Sequence, residues 1–142
     1  MECLGCKLAN KRENVFVVYE DNLVCCFLDH IPFNDGHVLI LPKEHFHDVD
    51  EMDKDTANAI MNASIIISKA LKKVFNPDGI TINQNGGVFN ELKHYHMHVV
   101  PRYKNQYFAN FYSDYDGNNI EEDNILSETQ TKLINALTNI NI

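Results

Sequence analysis

The chain has 142 residues and a mass of 16.3 kDa, which is room for one domain and hardly for two. Apolar residues make up 44%, so wholesale disorder is excluded. Acidic side chains outnumber basic ones by 20 to 12, and a net charge of −8 argues against nucleic acid or an anionic membrane as partner.

In chain order, the first seven residues include charged Glu2 and Lys7 and carry no apolar stretch of the targeting type. No later stretch approaches 18 apolar residues, so no membrane span is expected. The expected compartment is the cytoplasm, where thiols stay reduced. In that setting Cys3-Leu4-Gly5-Cys6 reads as half of a metal site rather than a disulfide, because zinc wants four S or N ligands.

Strands are predicted over 15–19, 23–28 and 37–41, rich in β-branched and aromatic residues. The short break at Glu20-Asp21-Asn22 favours a hairpin and therefore antiparallel pairing. The vicinal Cys25-Cys26 falls mid-strand, one side chain toward the core and one toward a neighbour. Residues 53–75 predict a helix, with Ile60, Ile67, Leu71 and Val74 on one stripe, stopped by Asn76-Pro77-Asp78-Gly79. Two more strands follow, over 80–84 and 95–102, and a last helix over 129–140 with Ser127 and Gln130 as a capping box. About five strands grouped together, with two main helices, predict an α+β domain over residues 1–142 built on an antiparallel sheet.

Between 103 and 124, Tyr103, Tyr107, Phe108, Phe111, Tyr112 and Tyr115 are mixed with Asn and Asp. That segment reads as an aromatic lid, an oligomer contact or a loop packed on its own domain. Within it, Asp114 to Asn118 is a turn, since its Gly comes too early for a calcium loop.

The seven histidines all lie between positions 30 and 98, and three of them form His94-Tyr95-His96-Met97-His98. On a strand these three share one face, at intervals of about 6.6–6.8 Å. The pattern supports a metal site, a nucleophile with flanking proton carriers, or a solvated polar face.

With Val99-Val100-Pro101-Arg102 behind it, the run resembles the histidine triad (HIT) family of nucleotide hydrolases and transferases. Gly36-His37-Val38-Leu39-Ile40-Leu41-Pro42-Lys43-Glu44-His45 is similar to a second stretch of that family. The resemblance runs from Cys3 to Arg102 and implies a nucleoside monophosphoryl group as the target. It assigns the nucleophile to His96, forming a nucleotidyl-histidine, and assigns to His98 a bond to phosphate and the protonation of the leaving group.

The resemblance further implies nucleotide contacts at Phe27, Asp29, His30 and Asn83, with Asp29 on the ribose hydroxyls. Asn90 stands where the family has a phosphate-binding Gln and is expected among the nucleotide contacts in its place, and Phe89 stands where the family has Gly. His37 fits an additional family histidine near the site or a structural one; His47 reads as a surface residue. Zinc-containing relatives imply that His45 and His94 complete the Cys3 and Cys6 half-site as a structural zinc centre. The family also implies a homodimer through the long helix and an adjoining strand. Two rival readings are a zinc-holding nucleotide sensor or scaffold without turnover, and a metalloenzyme using His94, His96 and His98 on one ion. The second needs the strand to bend, because about 13 Å separates the outer pair of an extended strand.

Overall fold

The computed structural model describes residues 3–107, 109 and 120–140. Its elements are α1 (Leu4–Ala9), β1 (Val17–Glu20), β2 (Val24–Leu28), β3 (Val38–Pro42), α2 (Lys54–Phe75), β4 (Gly79–Gln84), β5 (Met97–Arg102) and α3 (Asp123–Thr138). The Asp21 carboxylate accepts the N–H groups of Leu23 and Val24 at 2.8 and 2.9 Å, which closes the β1–β2 hairpin. Asp53 caps α2 by accepting the N–H of Thr56 at 2.7 Å. At the other end Asn76 takes the left-handed conformation (φ 45°) and bonds back to Lys72. The residue that turns the chain is thus Asn76, the first of the four expected to stop the helix.

All strand pairs are antiparallel, in the order β1-β2-β3-β5-β4, so the α+β class with a five-stranded sheet is correct. Alternation gives the sheet two unlike faces. Cys26, Leu28, Val38, Ile40 and Val99 point to the face covered by α2 and α3, where Ile60, Ile67, Leu71 and Leu133 meet them. Cys25, Phe27 and Leu41 point the other way, against Ala9 of α1. Gly36, at φ 91°, lets the β2–β3 loop press on α2: a Cβ there would lie 2.5 Å from Phe75.

The larger differences from the sequence pattern fall at α1, α3 and β5. Helix α1 carries only six residues and no periodic signal, so it was not predicted. Helix α3 starts at Asp123, which leaves Ser127 inside the helix rather than at a cap. There Gln130 donates to the Val17 carbonyl and Thr129 to the Asp35 carboxylate, contacts that anchor α3 to the sheet and loop. Strand β5 starts at Met97, so His94 and His96 precede it. Tyr103 is half-buried and Tyr107 exposed; Phe108, Phe111, Tyr112, Tyr115 and the 114–118 turn lie outside the described residues. Among the described residues, no helix is long and apolar enough to cross a membrane.

Candidate functional site

Register alone assembles one row across the face that α2 and α3 do not cover. Phe27 pairs with Leu39, Leu39 with His98, and His98 with Asn83. Directly opposed residues of an antiparallel pair share a face with their Cβ atoms about 4.5–5.5 Å apart, so Phe27, His98 and Asn83 line up on neighbouring strands. Asp29 continues the Phe27 side of β2 just past its end, half-buried, and His37 precedes β3 on the Leu39 side, 1% exposed. His30 turns outward, with its side chain 69% exposed, while its carbonyl accepts the Glu121 N–H at 2.7 Å. Phe27 is buried within the sheet's second apolar cluster.

The hydrogen bonds decide where each imidazole holds its proton. His96 Nδ1 lies 2.9 Å from the His94 carbonyl, an atom that only accepts, so Nδ1 carries the hydrogen and Nε2 the lone pair. His37 Nδ1 accepts the Phe33 N–H at 3.0 Å, so neutral His37 holds its proton on Nε2 and donates it to His98 Nδ1 at 2.9 Å. The proton of neutral His98 is therefore on Nε2. Asp29 Oδ2, 3.5 Å from His37 Nε2, offers that proton a second, weaker acceptor.

Burial disfavours the charged forms of His37 and His98. It lowers the His98 pKa to about 3 and holds His37 well below its ordinary range, with neighbouring imidazoles adding to both effects. Burial also raises Asp29, against the Ile31 N–H bond that favours its carboxylate. The His96 and His98 rings meet edge to face, with centroids 5.0 Å apart.

His94 leaves this group. Its Nε2–H donates to the Pro42 carbonyl at 2.8 Å, which turns the Nδ1 lone pair toward Cys3 and Cys6. Four sulfur–nitrogen separations result: His45 Nδ1 is 3.2 and 3.4 Å from the two Sγ atoms, and His94 Nδ1 is 3.4 and 3.5 Å from them. A tetrahedral zinc with Zn–S near 2.3 Å and Zn–N near 2.0–2.1 Å requires S···N edges of about 3.6 Å. Cys3, Cys6, His45 and His94 thus form a closed S2N2 donor set of zinc type, and Pro42 orients one imidazole from outside it. Helix α1 reaches this position because residue 5 is Gly: a Cβ there would lie 2.3 Å from His94 Cβ. Among the described residues no metal-competent set joins His94 to His96 and His98, so the single three-histidine ion has no site here.

Asn90 is turned into the protein. It is 2% exposed, and its amide bonds the backbone of His47, His94 and Lys93. His47 pairs with Asp48 at 3.0 Å, and both are half-buried rather than fully exposed. Cys25 and Cys26 are buried, and burial pushes the Cys25 thiol up to about 11, far from a reactive thiolate. The partnership of His37 with His98 was missed in the sequence, although the period of two from Leu39 already places His37 on that face.

A family model described as "HIT domain" matches residues 10–105. An uncharacterized HIT-like protein of Borreliella burgdorferi is 39% identical over 112 residues, covering 76% of this chain and 81% of that one. A Schizosaccharomyces pombe protein named adenosine 5'-monophosphoramidase is 28% identical over 109 residues, 75% of this chain and 79% of that protein. The crystal structure of a Zn-bound histidine triad family protein from Mycobacterium smegmatis superposes with a TM-score of 0.79 at 26% identity, covering 98% of this chain and 95% of that one.

Proposed function

We propose that this chain, which belongs to the HIT domain family, is a nucleotide-binding hydrolase or transferase that cleaves a phosphoanhydride or phosphoramidate bond at a nucleoside monophosphoryl group. The observation that carries the reading is the pair of fixed tautomers, a lone pair on His96 Nε2 beside an N–H on His98 Nε2. The S. pombe relative's name supports the phosphoramidate class.

In the first step the His96 Nε2 lone pair forms an N–P bond as the bond to the leaving group breaks with its electron pair; a phosphate leaves as its anion, and an amine leaves with a proton taken from solvent. The imidazolium that results keeps its Nδ1–H on the His94 carbonyl, which stabilises the positive ring. In the second step a water oxygen attacks phosphorus, the N–P electron pair returns to Nε2, and the water proton passes to solvent. His98 donates its Nε2–H to the phosphoryl or bridging atom and keeps it. Giving that proton up would leave an anionic ring, because His37 has no second proton to supply. His98 is therefore a hydrogen-bond donor in this reading rather than the proton source for the leaving group. Phe27, Asp29, His30 and Asn83 form the nucleotide side, with Asp29 the acceptor for ribose hydroxyls.

Cys3, Cys6, His45 and His94 would hold a structural zinc, whose chemistry is to cross-link α1, the segment after β3 and the segment before β5. The reducing cytoplasm suits such thiolate ligands. A homodimer is part of the proposal: Met61 and Ile65 on α2 and Ile82 on edge strand β4 are 57%, 49% and 48% exposed, apolar surface that a second copy would cover. Light scattering at micromolar concentration should give twice the chain mass, and a value near 16.3 kDa would refute the dimer.

The catalytic reading is tested by mass spectrometry of protein quenched during turnover of adenosine 5'-phosphoramidate. A nucleotidyl adduct on His96 is expected. An adduct on another residue, or turnover at wild-type rate in His96→Ala, would overturn it.

A further inference from the structure

Asn90 occupies the junction of the two chemical centres. Its Nδ2 group donates to the His47 carbonyl at 3.0 Å and to the His94 carbonyl at 3.3 Å. Its Oδ1 accepts the Lys93 N–H at 3.0 Å. An asparagine amide has two N–H donors, and both are engaged, so none is left for a phosphate oxygen.

The His94 carbonyl is also the acceptor that fixes the His96 proton on Nδ1. Lys93, immediately before it, sits at φ 58°, a left-handed conformation that long side chains rarely adopt and that its surroundings must hold. The bond from Lys93 N–H to Asn90 Oδ1 is one of the restraints that hold it.

We infer that Asn90 is a positioning residue for His96: it anchors the His94 carbonyl, and through it the tautomer and placement of the His96 ring. The kinetic part rests on His96 being the nucleophile; the tautomer part does not. A displacement of about 1 Å at a reacting group can cost on the order of 100-fold in rate, so an anchor one bond removed from the nucleophile is worth a measurable share of that.

The test is Asn90→Ala, assayed by steady-state kinetics with adenosine 5'-phosphoramidate and by ring-nitrogen NMR of His96 without nucleotide. The expected result is a kcat lowered by roughly 10- to 100-fold with KM within about twofold, and a His96 signal that moves from one tautomer to a mixture. A phosphate contact would instead raise KM with kcat kept, and that result overturns the inference. A His96 tautomer that is unchanged in the variant overturns it whatever the rate.

Should Asn90→Ala not fold, the wild-type protein decides. The Asn90 side-chain amide protons are expected to exchange slowly and to keep their shifts when AMP is added. Shifts that respond to AMP but not to adenosine would make Asn90 a phosphate ligand and overturn the inference. Absence of a His96 adduct would sink the catalytic reading alone, since the tautomer measurement needs no turnover.

Discussion

His94 and His98 stand four residues apart and are both buried, yet their imidazoles are prepared for opposite work. In His94 the Pro42 carbonyl takes the Nε2 proton, and the remaining lone pair faces two sulfur atoms. In His98 the His37 N–H takes the Nδ1 lone pair, and the remaining proton is a donor. The residue type is the same, and both rings are buried. What differs is the partner on the other nitrogen, and that partner leaves one ring with a lone pair aimed at two sulfur atoms and the other with an N–H to donate. Between them His96 is tied to the first by its carbonyl and to the second by ring contact.

The contrast breaks most visibly at His96. His96→Ala should lower turnover by several orders of magnitude, the scale typical of a lost nucleophile, while the protein still loads metal. His98→Ala removes one donor to the phosphoryl group and should cost about 10²–10³-fold in kcat. Steady-state kinetics of the two variants checks the order; equal losses would put both residues on one function and dissolve the distinction.

His94→Ala should fail differently. Deleting one of four ligands lowers metal occupancy, and elements distant in sequence then lose their cross-link, so thermal stability falls together with zinc content. Elemental analysis of protein purified without added metal should give close to one zinc per chain for the wild type. A value under about 0.2 would reject the metal centre, given the tight binding of structural zinc sites.

Much of this was legible in the sequence because it depends on local pattern. Period two in residues 94–98 marked the triad, and the apolar stripe over 53–75 marked α2. Cys-x-x-Cys marked the half-site. The rest depends on contacts between distant residues. Nothing near Gly5 announces that its missing Cβ is filled by His94, 89 positions along the chain. Nothing near Asn90 announces that its amide binds backbone at 47 and 94. The expectation that all three triad histidines share a strand face failed for a physical reason. Lys93 is left-handed and Asn90 holds the turn, so His94 lies before the strand and its ring is drawn to α1.

The smallest effect expected is in stability against pH, and it belongs to the His37–His98 side of the comparison. Both rings stay neutral in the folded protein far below the ordinary histidine value of 6.5, His98 down to about 3. The unfolded chain protonates both as pH falls through 6.5, and the folded chain does not. Their contribution is therefore complete above pH 6.5 and is lost as pH falls toward the folded values, at a limiting slope of about 1.4 kcal/mol per pH unit for each ring. Between pH 7 and 5.5 this amounts to roughly 1 kcal/mol per histidine. Asp29 works in the opposite sense, since burial raises its folded pKa and the folded state takes up that proton first, which softens the slope at the acid end. Protonation of metal ligands would also destabilise the protein, so the informative quantity is a difference between variants. His37→Gln removes one of the two rings and leaves the four sulfur and nitrogen ligands in place. Denaturant unfolding of wild type and His37→Gln at pH 7 and 5.5 should show the variant losing less stability over that interval, by about the contribution of one ring. Equal losses would mean that His37 titrates normally in the folded protein, and the tautomer assigned to His98 through it would fall with that result.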